Sequence, residues 1–452
     1  MGSSKVLLQL KKTAFRNGIG ILASNARRYS QAPRLPKPLE GIRVLELGQI
    51  KVEPPEVGDP IRVWRKIDVD GTSPWFRSIG RNKKSCEINL RTEEGRALAR
   101  KLADKSDVLV ENFRPGVMEK WGLGPEELYK TNPSLIYTRV SGFGQTGPYA
   151  KKPGFASVCE AMAGWRYING FPDQPPVRQN ISLGDSLAGL TAAFGTVLSL
   201  LARNKIAGSG QVVDVAIYES IFNMMEGVLP EYDRFGEIRQ PSGTSVTGIV
   251  PTNAYPCSDS KYVIIGGNTD SLYKRLMKVA EREDLITEKY ETNKERVQHK
   301  DLIDNAISDW TRKHTSEEVI EKLEKEGVPC GPIYNIKDIV EDKHVQSRNI
   351  LETVRVGENR DDGGWDLKIP AITPILSETP GETTWAGPDV GQHNREILMG
   401  ILEMSEGEIR ELQESGIIAT KESVKKSRSM AFFEAKNNIK TFYGKVAEKM
   451  RT

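Results

Sequence analysis

The sequence predicts an α/β fold with two parts, a large domain built on a mostly parallel sheet and a smaller α+β domain. Three observations support this prediction. Short apolar runs alternate with helical patterns from residue 40 onward, the 452 residues suffice for two or three domains, and Glu/Lys-rich helices follow a strand pair after residue 250. Because strands that alternate with helices are typical of βαβ units, we expect most strands to be parallel.

The large domain is expected over residues 36–230, completed by a segment at about 365–419. Apolar runs predict its strands at residues 42–47, 86–90, 108–110 and 135–140. Thr92 is a suitable helix N-cap, and Glu93 and Glu94 favour the first turn of the helix that follows.

A long helix is predicted from about Ser186 to Asn204. We expect it to be nearly buried, because apolar residues occupy most of its sides: Leu187, Leu190, Ala193, Val197, Leu200 and Leu201. Residues 245–350 differ in character, with a strand at 262–266 and charged helices. They predict the smaller domain.

Charge is unevenly distributed, although the net charge of the chain is only +3. Residues 1–35 carry seven Lys/Arg and no acid, residues 420–452 have a net charge of +6, and residues 36–419 a net charge of −10. A body this acidic argues against a nucleic-acid-binding protein. No apolar run approaches eighteen residues, so no transmembrane segment is predicted.

The cysteines are scattered along the chain, at Cys86, Cys159, Cys257 and Cys330. They form no CxxC pair and no cluster with histidine, which argues against a disulfide framework and a zinc site. We therefore expect no metal, and a reducing compartment.

Both ends are expected to lie outside the folded body. Residues 1–29 are basic, serine-containing, acid-free and amphipathic, as in a mitochondrial transit peptide, with a processing site after Tyr29. The alternative is a disordered basic arm. The basic C-terminal extension, residues 420–452, is either a solvated helix packed by its aromatic residues or a helix at a membrane surface.

Two glycine-containing loops follow predicted strands, at residues 111–116 and 141–148. Ligands of open parallel sheets bind outside the carboxyl ends of the strands, so both loops would line one crevice. Each loop is alternatively an ordinary tight turn.

Asp185 directly precedes the predicted long helix. It is either the N-cap of that helix or a carboxylate that the helix dipole and backbone N–H groups keep ionised, aimed into the crevice.

Taken in order, nine motifs resemble the class III CoA-transferase family, the formyl-CoA and carnitine CoA-transferase type. They cover residues 39 to about 418: LEGIRVLELGQI, KVEPPEVGDPIR, RNKKSCEINL, VENFRPGVMEKWGLG, SGFGQTGPY, SLGDSLAGL, GQVVDVAIYES, GVPCGPIYNI and GQHNREIL. Nearest in kind are the mitochondrial members that move CoA from succinyl-CoA to hydroxymethylglutarate or glutarate. The resemblance implies a Rossmann-like large domain and an interlocked homodimer.

The resemblance also implies a reaction. Asp185 matches the aspartate that attacks the acyl-CoA thioester, and the cycle proceeds through an aspartyl-CoA intermediate. Gln49 matches the side chain that orients the reacting carbonyl. The CoA thioester is a substrate rather than a permanently bound cofactor, and the acceptor is a small dicarboxylic acid of the hydroxymethylglutarate, glutarate or itaconate type.

Further positions match the family's contacts with CoA. The nucleotide side would be lined by Ile88, Asn89, Leu90 and Arg91 and by Asn112, Phe113 and Arg114. Arg91 and Lys120, with Lys152 as a third, match basic residues that meet phosphate. For the far carboxylate of the acceptor, the candidates by position are Arg139, Arg166 and Arg178.

The chain departs from the family at three places. Family members carry a helix and a strand where Ile50 here directly precedes Lys51, so the first βαβ unit cannot form normally. Either an internal piece is missing from the sequence, or the protein has lost part of its crevice and is an inactive dimerising paralogue. An acid common in transferases is Ala156 here, with Glu160 as its replacement one turn on. Phe155 stands where related acyl-CoA racemases have a catalytic histidine, which disfavours a racemase.

Overall fold

The computed structural model describes residues 36–47, 52–55, 57–205, 207–357 and 363–419. The predictions for residues 1–29, for residues 420–452 and for Gln49 lie outside the described residues. The chain divides into two compact units. The described parts of the small unit are residues 36–42 and 372–382, between which Lys37 Nζ lies 3.3 Å from Glu382 Oε2. The large unit contains every described helix and strand.

The large unit contains a six-stranded parallel sheet with the order β3-β2-β1-β4-β5-β6. Its strands are β1 (Val44–Leu47), β2 (Val52–Glu53), β3 (Cys86–Glu87), β4 (Val108–Glu111), β5 (Ile136–Ser141) and β6 (Val212–Ala216). The α/β prediction is therefore confirmed. In this order the chain reverses direction across the sheet between β1 and β4, which is where Rossmann-like sheets bind their ligands.

β1 and β2 are joined without a crossover helix. Leu47 of β1 pairs with Val52 of β2 in parallel register, so only residues 48–51 connect them. Those four residues lie outside the described part. Because one helical turn already takes 3.6 residues, the connection has no room for a covering helix, as the sequence predicts.

Helices flank the strands throughout the large unit. In chain order they are α1 (Pro74–Ile79), α2 (Glu93–Asp104), α3 (Val117–Lys120), α4 (Pro125–Leu128), α5 (Ala156–Met162), α6 (Leu183–Arg203), α7 (Ile217–Phe222), α8 (Val228–Phe235), α9 (Asp270–Val279), α10 (Asn293–Gln298), α11 (Lys300–Thr311), α12 (Ser316–Lys325), α13 (Ile336–Glu341), α14 (Lys343–Ser347), α15 (Asn394–Leu402) and α16 (Glu406–Glu414). Short 3₁₀-helices occupy Pro60–Val63, Glu283–Leu285 and Glu288–Tyr290. Thr92 caps α2 as predicted, since its side chain accepts a hydrogen bond from the N–H of Gly95.

The main core joins distant parts of the chain. Leu47 and Leu109 of the sheet pack in one apolar cluster with Leu98 of α2 and with Leu398 and Ile409 of the C-terminal helices. The C-terminal segment therefore contributes directly to the core beside the parallel sheet.

A second core surrounds an antiparallel sheet of β7 (Thr252–Pro256), β8 (Tyr262–Gly266) and β9 (Cys330–Pro332). Its centre includes the side chain of Arg296, which is fully buried and bonds backbone carbonyls, among them that of Val250 at 2.9 Å. A separate hairpin pairs β10 (Leu351–Val356) with β11 (Trp365–Pro370). The domain boundaries expected from the sequence stay a prediction.

Helix α6 differs from its prediction in two respects. It begins at Leu183 rather than near Ser186, and it is not nearly buried: Leu190 is 69% exposed and Leu201 63%. One face contacts β5, β6 and α7, whereas the apolar residues of the opposite face are exposed among the described residues. By length and composition alone, α6 is the one helix of the described residues that is long and apolar enough to cross a membrane. The expectation of no transmembrane segment stays a prediction.

Candidate active site

Asp185 lies in the first turn of α6 and is exposed. The N-cap of the helix is Ser182, whose side chain makes no capping hydrogen bond. The interpretation of Asp185 as the N-cap is therefore wrong. Its carboxylate is free of that structural role.

The first turn of α6 is capped instead by Glu160 of α5. The carboxylate Oε1 of Glu160 accepts a hydrogen bond from the N–H of Gly184 at 3.2 Å, and its Oε2 lies 3.3 Å from Nη2 of Arg166. Glu160 is only 2% exposed. A Cβ at position 184 would stand 3.1 Å from the Cβ of Ala156, so glycine permits this close approach of the two helices.

The electrostatic environment of Asp185 is mixed. Partial burial of its carboxylate and the nearby charge of Glu160 raise its pKa above the ordinary value, while the guanidinium of Arg178 acts in the opposite direction. The expectation that the helix start keeps the anion ionised stays a prediction, since these three influences act on Asp185 besides the helix. Two charged side chains thus act on Asp185, the negative Glu160 and the positive Arg178.

The loop after β5 lies against the same helix pair. The thiol of Cys159 in α5 donates to the carbonyl oxygen of Gly142 at 3.3 Å. Burial and the Asp185 charge raise the pKa of Cys159 to about 11, so this thiol is protonated at neutral pH. The predicted loop 141–148 therefore contacts α5 through Gly142, and Cys159 lies within electrostatic reach of Asp185, a relationship that sequence reasoning did not identify.

The structure brings the two predicted CoA-lining stretches together. The side chains of Ile88, Leu90 and Phe113 belong to one apolar cluster. Ile88 is 1% exposed, its N–H donates to the carbonyl of Glu53 and its carbonyl accepts from the N–H of Leu90, so it offers little surface to a ligand. Asn89 is half-buried, and Asn112 is exposed directly after β4, at the point where the sheet order reverses.

Two of the cations predicted to meet phosphate are available. Arg91 and Lys120 are exposed, as is Arg114 of the predicted nucleotide side, and no carboxylate in the described part of the chain pairs with any of them. Lys152 is also exposed, but its Nζ lies 3.6 Å from the centre of the Tyr149 ring. Its charge therefore already rests on an aromatic face.

Arg139 is not available for an acceptor acid, which corrects one sequence-based candidate. It is buried between Glu111 and Glu119, each 2.7 Å away, and Glu111 is its register partner on the neighbouring strand. A strand pattern read from sequence does not show which strands are neighbours, so this pair could not be foreseen.

The structure also shows how the residue types that ligate metals are placed, and where Phe155 and two of the histidines lie. Within the described ranges, no three His, Cys, Asp or Glu side chains are grouped for a metal ion. Position 155 carries an exposed phenylalanine, and the rings of His299 and His314 pack against Tyr290 and Trp310 of the second core.

An exposed carboxylate in the first turn of a helix, with exposed cations after strands of a Rossmann-like sheet, is compatible with an enzyme that acts on a phosphate-bearing carrier. Sequence comparison gives the carrier. The model of CoA-transferase family III matches residues 49–394, and the chain belongs to this family. It is a class III CoA-transferase, EC 2.8.3.-.

Curated relatives are similar over most of the chain. A succinyl-CoA–D-citramalate CoA-transferase of Chloroflexus aurantiacus is 42% identical in an alignment of 408 positions that covers 86% of this chain and 100% of the relative. A succinyl-CoA:glutarate CoA-transferase of Mus musculus is 30% identical over 409 residues, 86% of this chain and 92% of the relative. The alpha subunit of a succinyl-CoA–L-malate CoA-transferase of Chloroflexus aurantiacus is 37% identical over 403 residues, 84% of this chain and 92% of the relative.

Solved structures agree with the fold. A CAIB/BAIF family protein from Brucella suis superposes with a TM-score of 0.70 at 28% identity, covering 81% of this chain and 100% of that protein. A protein from Mycobacterium tuberculosis reaches a TM-score of 0.69 at 25% identity, covering 79% of this chain and 98% of that protein.

Proposed function

We propose that this enzyme moves CoA from succinyl-CoA to a small dicarboxylic acid, with Asp185 as the covalent nucleophile. The observation that carries the proposal is the exposed Asp185 carboxylate in the first turn of α6, which is freed from capping by Glu160. The relatives named above act on succinyl-CoA and on citramalate, glutarate or malate, all dicarboxylic acids.

The proposed cycle has four steps. In each step one anion, a carboxylate or a thiolate, attacks a carbonyl carbon, and another anion leaves. The Asp185 carboxylate attacks the thioester carbonyl, expels CoA thiolate and forms a mixed anhydride. The thiolate then attacks the Asp185 carbonyl, releasing succinate and leaving an aspartyl-CoA thioester.

The second half of the cycle reverses these roles. A carboxylate of the acceptor attacks the aspartyl thioester and frees the thiolate, which then attacks the acyl carbonyl of the new anhydride. The products are the acceptor's CoA thioester and the free Asp185 carboxylate. In this proposal Gln49 orients the reacting carbonyl, and backbone N–H groups nearby stabilise the oxyanion.

The CoA nucleotide occupies the carboxyl edge of the sheet in this proposal. Arg91, Arg114 and Lys120 meet its phosphates, with Lys152 as a fourth cation. The backbone around Ile88, Asn89 and Leu90, together with Asn112 and Phe113, lines the nucleotide side.

We further propose a homodimer in the mitochondrial matrix, formed after removal of residues 1–29. The exposed apolar residues of α6, Leu190, Phe194 and Leu201, support the dimer, because contiguous exposed apolar patches often mark protein interfaces. The acid-free, arginine-containing segment at residues 1–29 supports the location.

The test follows radiolabelled succinate exchange into succinyl-CoA, and CoA transfer from succinyl-CoA to hydroxymethylglutarate, glutarate, itaconate, malate and citramalate. We expect exchange with succinate and transfer to at least one acceptor. Mass spectrometry of protein quenched with succinyl-CoA alone should find CoA attached to the peptide that contains Asp185.

A second candidate, an inactive dimerising paralogue, is supported by the direct β1–β2 connection. The alignment with the citramalate relative has 408 positions but contains only about 389 residues of this chain, which are 86% of 452. The relative therefore has extra residues within the alignment. A purified dimer that shows neither exchange nor a CoA adduct would establish this candidate and refute the transferase proposal.

A further inference from the structure

Of the three arginines that the sequence offers for an acceptor carboxylate, one is left without a carboxylate partner. Arg139 is held by Glu111 and Glu119, and Arg166 by Glu160. Arg178 is exposed, and no carboxylate of the described residues forms an ion pair with it.

Arg178 is nevertheless held in place. Its Nη1 donates to Ser157 Oγ at 3.1 Å, its Nε to the carbonyl of Gln179 at 3.1 Å, and its Nη2 to the carbonyl of Ile181 at 2.9 Å. All three acceptors are neutral. Since a guanidinium has five N–H donors, two remain for a ligand while the charge stays uncompensated.

The anchors of Arg178 tie it to both helices of the site. Ser157 lies in the first turn of α5, and Ile181 directly precedes Ser182, the N-cap of α6. Asp185 responds to the charge of Arg178, so the cation and the nucleophile share one environment. Arg178 is thus held by residues at the starts of α5 and of α6, the helix that carries Asp185 in its first turn.

We propose that Arg178 binds the distal carboxylate of the acyl group, and so selects dicarboxylic acids as both donor and acceptor. This inference rests on the proposed function. Donor and acceptor each form an anhydride with Asp185, so both acyl chains occupy the same place in turn. In an extended succinyl group the distal carboxyl carbon lies about 4 Å from the reacting carbonyl carbon, a span suited to a cation next to the nucleophile.

Arginine suits this task better than lysine. Its planar fork can donate two parallel hydrogen bonds to one carboxylate, which fixes both the position and the orientation of the bound group. A monocarboxylic acyl chain would leave the cation unpaired, so the same contact disfavours simple fatty acyl groups.

The test compares succinyl-CoA with butyryl-CoA, which has the same four-carbon chain but ends in methyl instead of carboxylate. For Arg178→Gln we expect kcat/KM with succinyl-CoA to fall about 10- to 100-fold, because hydrogen bonds to a charged group are lost. With butyryl-CoA the change should stay within about threefold. Arg178→Lys keeps the charge but not the fork, and should recover part of the preference for succinyl-CoA.

Arg312→Gln is the matched control, because Arg312 is an exposed arginine of the second core region with 61% of its side chain accessible. This variant should leave kcat/KM unchanged for both succinyl-CoA and butyryl-CoA. An equal loss for both thioesters in Arg178→Gln would mean that Arg178 only holds the loop, and an unchanged succinyl-CoA preference would also overturn the inference.

A binding measurement separates this inference from the proposed function. Calorimetry with the Asp185→Asn protein gives the affinities for both thioesters without turnover. If wild type shows no exchange, the transferase proposal fails, yet a preference for succinyl-CoA that disappears on adding Arg178→Gln would still support the carboxylate site. If the Asp185→Asn protein, with Arg178 still present, bound succinyl-CoA and butyryl-CoA equally well, the carboxylate site would be refuted.

Discussion

The carboxylate of Glu160 accepts the hydrogen bond of the Gly184 N–H, one residue before Asp185. This N–H belongs to the positive end of α6, where a free carboxylate would otherwise be stabilised. Because Glu160 already accepts from this N–H, the positive helix end stabilises Asp185 less. The negative charge of Glu160 also acts on the Asp185 carboxylate. Such an anion is less well stabilised, which suits the proposed role of Asp185 as a nucleophile.

Replacement of Asp185 by Asn or Ala should abolish CoA transfer, with a loss of about four orders of magnitude or more, because Asp185 carries the covalent intermediate in the proposed cycle. The fold should survive. Since the folded protein raises the pKa of Asp185, ionisation of this group opposes folding, so the melting temperature should equal or exceed that of wild type. Exchange kinetics and thermal unfolding measure both effects.

Asp301→Asn serves as the matched control, because Asp301 is an exposed aspartate in the first turn of α11. It should leave transfer unchanged. Retained turnover in Asp185→Asn, combined with a lower melting temperature, would mean that Asp185 is structural.

Glu160→Gln should move the acidic limb of the pH profile of kcat/KM to lower pH. The negative charge of Glu160 raises the pKa of Asp185, so its removal lets the nucleophile ionise at lower pH. Glutamine retains an oxygen that can accept from the Gly184 N–H. An acidic limb that stays in place, or moves to higher pH, would show that Glu160 does not influence the nucleophile.

Arg91→Gln and Lys120→Gln should each raise KM for succinyl-CoA about tenfold with little change in kcat, because each removes a charge-assisted contact with phosphate. The difference from wild type should shrink near 1 M salt, where the Debye length is about 3 Å. With succinyl-pantetheine, which lacks the nucleotide, the variants should match wild type. A KM defect that persists with this truncated donor would place these cations elsewhere.

Arg139→Met should lower the free energy of unfolding by about 3–5 kcal/mol, because it leaves the buried Glu111 carboxylate without its main partner. The double variant Glu111→Gln/Arg139→Met should regain much of this loss in urea denaturation. Arg355→Met removes one partner of an exposed pair with Asp366 and should cost at most about 1 kcal/mol. Equal losses for the two single variants would argue against a special role for the buried pair.

Phe194→Glu should convert the proposed dimer into monomers. Leu190, Phe194 and Leu201 lie on one face of α6 and are 69%, 66% and 63% exposed. Sedimentation velocity at micromolar concentration should give a dimer for wild type and for the control Leu302→Glu, which changes an apolar residue that is 45% exposed on α11. A monomeric wild type would refute the dimer.

The fold could be predicted from the sequence because its signals are local. Apolar runs and the capping side chain of Thr92 identify β4, β5 and α2 within a residue or two. The exposure of α6 could not be predicted, because helical periodicity shows which residues are apolar but not what covers them. Leu190 and Leu200 look alike in sequence, yet the chain buries only Leu200.

The site was predicted less completely, for a physical reason. Asp185 is found through its motif, and Glu160 through its spacing from Ala156. The partners of charged groups depend on which strands and helices are neighbours. The Glu111–Arg139 pair, and the fact that no described carboxylate pairs with Arg178, are therefore visible only in the three-dimensional structure.

The exposed apolar face of α6 has a consequence for any measurement made on this protein in dilute solution. If a second copy covers that face, folding and association are one equilibrium, and stability becomes a function of protein concentration. By mass action, each tenfold dilution then removes about 1.4 kcal/mol per mole of dimer. A melting temperature of this enzyme therefore has meaning only together with the concentration at which it was recorded.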